Sequence, residues 1–440
     1  MKQFLLYGLM GGALFCAAWR PLVQPSNLAQ EQATRQAPTA VTADNILPGA
    51  ERTELYLPRL KGKRVAVFAN HTSVLGGENI VDALKKKGVN ITVIFGPEHG
   101  FRGTADAGEK IGNYTDAATG IPVVSLYGSK LRPSKEDLAN ADVLLFDIQD
   151  VGTRFYTYIS SLQEFMEAAM ENNKPLIVLD RPNPNGFYVD GPVLDTAFRS
   201  FVGMQPVPIV YGMTIGEYAY MLAGEQWLGK KIKAPINIPA SPERAAMVQR
   251  RAPVSDRSYS LTIIPCAGYT HRSKYVLPVK PSPNLPTIQS IYWYGSTCFF
   301  EGTVLSEGRG TDKPFQVFGH PLLPQHLASF TPRSMPGATK PKLMDKLCYG
   351  WDLSGTPEQV LQQVDNKIQI KYLLEAYKLF PQKDSFFLNK GNFFNKLAGG
   401  DALMQQVIAG KTEAEIRQSW EPALSRFKAI RKKYLIYKTD

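Results

Sequence analysis

The sequence predicts an α/β fold, with a mostly parallel sheet covered by helices on both faces and a smaller α+β domain behind it. Two observations carry that expectation. Between Arg64 and Asp180, apolar runs without polar alternation take turns with amphipathic segments, the pattern of strands buried on both faces and separated by helices. Beyond Pro253 the texture changes to short apolar segments between loops rich in Pro, Gly and Ser, and then to helical stretches.

Residues 65–69 read as the first buried strand, and 79–87 as a helix with Ile80, Ala83 and Leu84 on one face. Strands are expected next over 89–95, 123–126 and 143–147, a long helix over 157–172, and another near-continuous apolar strand over 175–180. Short apolar segments follow at 261–266, 281–285 and 299–303, and then helices over 357–365, 371–380 and 412–433. A chain of 440 residues is long for one domain. It divides into an α/β domain over 49–264 and an α+β domain over 265–440, behind a leader.

Lys2, the apolar stretch 4–15 and the small residues Cys16, Ala17 and Ala18 read as an export signal over 1–23, a retained N-terminal anchor being the alternative. Phe15 is bulky where a lipidation signal wants a small residue, which argues against a lipid on Cys16. Residues 24–48, rich in Gln, Ala, Ser, Thr and Pro, read as an unfolded linker. No later apolar run is long enough to span a bilayer, so the expected location is periplasmic, soluble or anchored through the N-terminus. Cys266, Cys298 and Cys348 form neither a disulfide framework nor a zinc pattern and read as buried small hydrophobes, with one bridge as the alternative. The net charge of +11 gathers at 61–64, 85–87, 230–233 and 426–438. Without a recognition helix or an RNA-binding motif, nucleic acid is not the expected partner. An anionic polymer outside the cytoplasm suits the charge, as does a plain solvated surface.

Four expected strands end in polar clusters: Asn70-His71-Thr72, Glu98-His99-Gly100, Asp147-Ile148-Gln149-Asp150 and Asp180-Arg181-Pro182-Asn183. Ligand crevices of open α/β sheets lie beyond the carboxyl ends of the strands, so these clusters are expected to converge on one site. Glycines around Glu98-His99 let the backbone turn sharply and present both side chains. A glutamate beside Phe95 and Phe101 suits a general acid at a glycosidic oxygen, whereas a Glu98–Arg102 pair would make the turn merely structural. Asp150 can serve as a carboxylate or cap the following helix, and Arg154 can clamp a carboxylate with two prongs. Tyr156 and Tyr158 can stack on a sugar or donate to it. Asp180 and Asn183, in a Pro-stiffened loop, can bond hydroxyls or an acetamido group, or simply build the turn. Glu301 and Glu307 bring carboxylates to a domain junction and Arg309 offers an anion contact, a salt-bridged loop being the alternative. There is no Gly-rich phosphate loop, GxSxG elbow or HExxH. The histidines are scattered, and His71 and His99 read as hydrogen-bonding cleft residues before they read as metal ligands, so no metal is expected.

Six stretches, FANHTSV, FGPEHGFRG, FDIQDVGTRFYTYI, VLDRPNPNG, VYGMTIGEYA and EGTVLSEGRGT, run in order through residues 60–311. Together they resemble the exo-β-N-acetylmuramidase family, formerly a family of unknown function. The resemblance implies a Rossmann-like catalytic domain, a C-terminal domain that helps wall the cleft, and removal of N-acetylmuramic acid from the non-reducing end of peptidoglycan fragments. It implies no nicotinamide cofactor, and the first strand lacks a GxGxxG turn. It implies Glu98 as the catalytic acid. Asp147, Asp150, Glu301, Glu307 and Tyr156 stay open as base, nucleophile or stabiliser. Arg154 or Arg309 would suit the lactyl carboxylate of muramic acid, and Asn70, His71, His99, Arg102, Tyr158, Asp180, Arg181 and Asn183 complete the expected substrate contacts. Hydrolysis of another anionic glycan, or a peptidoglycan-binding exported lipoprotein without turnover, are the rival readings.

Overall fold

The computed structural model describes residues 46–103, 112–228, 236–239, 260–388 and 392–439. The expected leader with Cys16, most of the expected linker and the basic cluster at 230–233 lie outside the described residues.

The strands in chain order are β1 (Arg64–Ala69), β2 (Val74–Leu75), β3 (Glu78–Asn79), β4 (Asn90–Gly96), β5 (Tyr114–Thr115), β6 (Pro122–Ser125), β7 (Val143–Asp147), β8 (Leu176–Leu179), β9 (Ile236–Asn237) and β10 (Leu261–Ile264). An eight-stranded sheet takes the order β5-β6-β4-β1-β7-β8-β10-β9, and β2 and β3 form a separate hairpin. Every pairing in the large sheet is parallel except that of the edge strand β5 with β6. All the strands and helices expected between 65 and 180 are present within a residue or two of their expected ends.

The lack of alternation in these strands has a direct cause. Along β1, Ala66 and Phe68 enter one apolar core, whereas Val65, Val67 and Ala69 enter another on the opposite face. Helices α1 (Thr53–Leu60) and α2 (Ile80–Lys86) cover the second face with Tyr56, Leu60, Ile80 and Leu84. The first face is covered by α3 (Tyr158–Glu171) and α4 (Ile215–Gly224), and Phe68 stacks there on Phe146 at 5.0 Å and meets Phe165 edge-on at 5.2 Å. The Asn79 side chain caps α2 by accepting from Val81 N–H at 3.0 Å. Thr214 and Glu217 close a reciprocal capping box on α4.

The C-terminal part begins with α5 (Ile288–Thr297), which runs into a 3₁₀ turn at Cys298–Gly302. A three-stranded antiparallel sheet of β11 (Val317–His320), β12 (Ala328–Phe330) and β13 (Cys348–Asp352) follows, in the order β11-β13-β12. Helices α6 (Pro357–Val364), α7 (Lys371–Leu379), α8 (Phe393–Ala398), α9 (Ala402–Ile408) and α10 (Glu413–Lys432) complete it. The expected helices at 357, 371 and 412 are α6, α7 and α10. The apolar segment at 261–266 supplies β10, which joins the large sheet beside β8. That at 281–285 takes no regular structure, since Pro281 and Pro283 cannot donate to a ladder.

One apolar core runs from the α3 and α4 face through Phe155, Tyr294, Phe299 and Phe315 to Phe394, Trp420 and Phe427. Residues 42–440 accordingly form a single compact unit, and the boundary expected at 264/265 falls directly after the last residue of β10. Cys266, Cys298 and Cys348 are buried and free. No helix among the described residues is long and apolar enough to cross a membrane.

Candidate active site

β4 ends at Gly96, and the chain then turns tightly, with Gly100 N–H donating to Pro97 O at 3.0 Å and Gly103 N–H to Gly100 O at 3.3 Å. His99 sits at φ 68°, a left-handed conformation that a residue with a Cβ holds only when its surroundings impose it. Gly103, at φ 75°, lies so close to the His71 ring that a Cβ would overlap it. Phe101 plugs into the core beside α2. Arg102 reaches back to Asp82 at 2.7 Å and Asp116 at 2.8 Å, so it holds the turn from behind and pairs with neither Glu98 nor the cleft. With its base pinned in this way, the turn presents Glu98, whose Oε1 accepts from Tyr127 Oη at 2.9 Å.

The C-terminal part supplies the other wall. Arg309 donates to Glu301 at 2.6 Å and lies 3.3 Å from Glu307. Lys342 reaches Glu307 at 2.9 Å and also donates to the carbonyls of Phe300 and Leu305, both at 2.7 Å, and of Thr303 at 3.1 Å. Burial pushes the Glu307 carboxyl up, but Lys342 and Arg309 outweigh it and hold the group below its ordinary value. Glu98, Tyr127, Tyr294, Glu301, Glu307, Arg309, Lys340 and Lys342 line one cleft of about 680 Å³. It adjoins, through the shared Glu98, Phe155, Tyr294 and Arg309, a smaller cavity of about 60 Å³ that His99, Tyr156, Tyr158, Ser282 and Asn284 also line.

Two expected contacts support this cavity from behind. Asn70 Nδ2 donates to Tyr158 Oη at 2.9 Å, and His71 Nε2 lies 2.9 Å from Lys280 O, which ties the end of β1 to the segment before Pro281. Burial lowers the pKa of His71, which keeps the ring neutral near pH 7. Tyr156 Oη donates to Pro281 O at 2.7 Å. Burial pushes the Tyr156 and Tyr158 phenols well up, so they stand as neutral ring surfaces and hydrogen-bond donors.

Several expected site residues instead hold the scaffold together. Asp147, fully buried at the end of β7, takes two hydrogen bonds from Arg181, at 2.6 Å and 2.7 Å. Asp180 accepts from Gly216 N–H and Thr214 Oγ1, both at 2.7 Å, and from Tyr437 Oη, docking the C-terminal tail on the end of β8. Asn183 donates to Met213 O at 2.7 Å and closes its own turn on Asn185 N–H at 2.8 Å. Arg154, completely buried, donates to the carbonyls of Pro192, Val207 and Leu397 at 2.8–2.9 Å. It staples three distant segments and lines neither the cleft nor the small cavity, although its Nε is left without a hydrogen-bond partner among the described residues. Asp150 is buried too. It does not cap α3, whose N-cap is Thr157, but accepts from Gly152 N–H at 2.7 Å and from Tyr211 Oη.

Burial raises the Asp150 pKa to about 6, against about 4 for an ordinary aspartate. The folded state therefore binds more protons than the unfolded chain between those values. The stability that this group contributes is full below pH 4 and is lost as pH rises through 6. Asp150→Asn keeps the acceptor oxygen for Gly152 and Tyr211 but cannot titrate. Its loss of stability from pH 4.5 to 7.5, measured by urea unfolding, is expected to be about 1–3 kcal/mol smaller than that of the parent. Equal losses would contradict a buried, titrating Asp150.

The cleft also contains residues that sequence reasoning did not single out: Tyr127, Ser282, Asn284, Tyr294, Lys340 and Lys342. Tyr127 lay within reach of the strand-end rule, since it follows β6 by two residues. The others come from loops and from α5 and carry no local motif. Among the described residues no group of three or more His, Cys, Asp or Glu side chains is placed to hold a metal ion.

A parallel sheet with a carboxylate on its carboxyl edge, facing a cleft walled by aromatic rings and acid–base pairs, defines an α/β enzyme suited to a sugar substrate. The chain belongs to the exo-β-N-acetylmuramidase NamZ family: the family's N-terminal domain matches residues 65–289 and its C-terminal domain residues 292–437. It is 37% identical to the peptidoglycan β-N-acetylmuramidase NamZ of Bacillus subtilis (strain 168), over 99% of this chain and 100% of that protein. Two crystal structures of DUF1343 family proteins from Bacteroides fragilis NCTC 9343 share the fold. One, 42% identical, superimposes with a TM-score of 0.76 over 90% of this chain and 100% of its own. The other, 27% identical, does so with a TM-score of 0.72 over 90% and 99%.

Proposed function

We propose that the chain hydrolyses the β-linkage of a terminal N-acetylmuramic acid residue in peptidoglycan fragments, with Glu98 protonating the departing glycosidic oxygen. The family supports the activity, and the place of Glu98, just past the end of β4 and on the lining of both the cleft and the small cavity, supports the residue. Glu301 is engaged by Arg309, and Glu307 by Arg309 and Lys342, which hold the Glu307 carboxyl below its ordinary value and so ionised. Glu98 accepts from the neutral Tyr127 hydroxyl, which lines the same cleft. The adjoining small cavity, closed by Tyr156, Tyr158 and Tyr294, suits a substrate that enters by its end.

Glu301 and Glu307 share the cleft with Glu98 and are the acids available to steady the positive charge that develops on the sugar ring. Turnover of a chromogenic β-N-acetylmuramide beside the matching N-acetylglucosaminide, with free N-acetylmuramic acid identified as product, tests the activity. Binding of muropeptides without turnover by the folded protein would favour the binding-protein reading. An exported, periplasmic location goes with a wall substrate and with the apolar leader. Fractionation of cells carrying a C-terminally tagged chain tests it, and a full-length cytoplasmic product would contradict it.

A further inference from the structure

We propose that Lys340 meets the lactyl carboxylate of N-acetylmuramic acid and so separates this sugar from N-acetylglucosamine, an inference that rests on the glycosidase reading above. The two sugars differ only in the lactyl ether on O3 and its negative charge. A site that selects the former needs a cation with donors to spare. Three cations line the cleft among the described residues: Arg309, Lys340 and Lys342. Arg309 is occupied by Glu301 and Glu307. Lys342 spends its ammonium on Glu307 and on the carbonyls of Phe300, Thr303 and Leu305. Both of these cations are therefore paired with cleft carboxylates, and although Arg309 keeps Nη1 unengaged among the described residues, its charge is already shared between Glu301 and Glu307. Lys340 is exposed, and among the described residues it has neither an ion pair nor a hydrogen bond.

Its backbone is nevertheless well fixed. Arg333 N–H donates to Gly310 O at 2.7 Å, and Asn284 Nδ2 donates to Gly337 O at 2.8 Å. The segment carrying Lys340 is thereby tied both to the turn that bears Arg309 and to the floor of the small cavity. Pro341 packs against Gly310, and Lys342 anchors the chain immediately afterwards. A long, mobile side chain on a fixed stem suits a carboxylate that itself swings on an ether. A substrate ring filling the cleft would displace water and strengthen the contact.

The test compares 4-nitrophenyl β-N-acetylmuramide with its neutral lactyl methyl ester, on the full chain and on Lys340→Ala and Lys340→Arg. The parent is expected to favour the free acid in kcat/KM by about tenfold to a hundredfold, the range of a charged hydrogen bond. Lys340→Ala is expected to lose that preference mainly through KM, and Lys340→Arg to keep most of it. A preference that survives in Lys340→Ala overturns the proposal, as does a loss that arginine fails to restore. A parent inactive on both aryl glycosides would instead overturn the glycosidase reading itself, which keeps the two failures apart.

Discussion

Glu98→Gln is expected to lower kcat on the N-acetylmuramyl-β-1,4-N-acetylglucosamine disaccharide by about 10²–10⁴-fold, the usual contribution of a positioned general acid. Glutamine keeps the shape of the side chain and an acceptor for Tyr127 Oη but has no proton to give. The unfolding midpoint should barely move, because Phe101, Arg102 and the turn's own backbone bonds hold the turn. The defect should be smaller on a 4-nitrophenyl glycoside, whose leaving group departs as a stable anion and needs little protonation. Equal defects on both substrates would show that Glu98 does something other than protonate the leaving oxygen.

The second large effect concerns stability. Asp147→Ala is expected to destabilise the fold by about 3–5 kcal/mol, the cost of leaving one member of a buried ion pair without its partner. Arg181 is 3% exposed, and what remains for it is the carbonyl of Val74 at 3.0 Å. Denaturant unfolding measures the loss, and the fraction that stays folded should keep nearly its full kcat, because Asp147 is buried and lines neither the cleft nor the small cavity. A stable variant with a collapsed kcat would return Asp147 to the catalytic group.

These two residues also mark how far the sequence could be read. Glu98 and Asp147 both stand at the carboxyl ends of apolar strands, and the rule that ligands gather at such ends picked out both. What separates them is a neighbour. β7 lies beside β8 in the sheet, so Arg181 at the end of β8 closes on Asp147, whereas Glu98 follows β4 into a turn that faces a cleft. Strand order is a long-range property, and no local pattern near residue 147 encodes it. Arg154 illustrates the same limit: it looks like an anion clamp, yet its partners are carbonyls at 192, 207 and 397.

The layered α/β part was legible because both faces of the sheet are buried, which stamps continuous apolar runs on the strands. The C-terminal part was harder. β12 is three residues long and largely exposed, so it carries no apolar signal. α5, with the sequence IQSIYWYGST, is rich in β-branched and aromatic residues that favour strands, and burial on nearly every side makes it a helix. Lys340 and Lys342 sit in an irregular loop where two nearby lysines read as surface charge. Only the folded chain shows that one is consumed by carbonyls and the other is not.

The most direct test of the central claim is a crystal structure of the Glu98→Gln protein soaked with N-acetylmuramyl-β-1,4-N-acetylglucosamine. The account predicts the terminal muramic acid ring in the cleft between Tyr127 and Arg309, with its glycosidic oxygen about 2.6–3.2 Å from the carboxamide introduced at position 98. A disaccharide bound elsewhere, or seated in the cleft with its glycosidic oxygen turned away from that carboxamide, would contradict it.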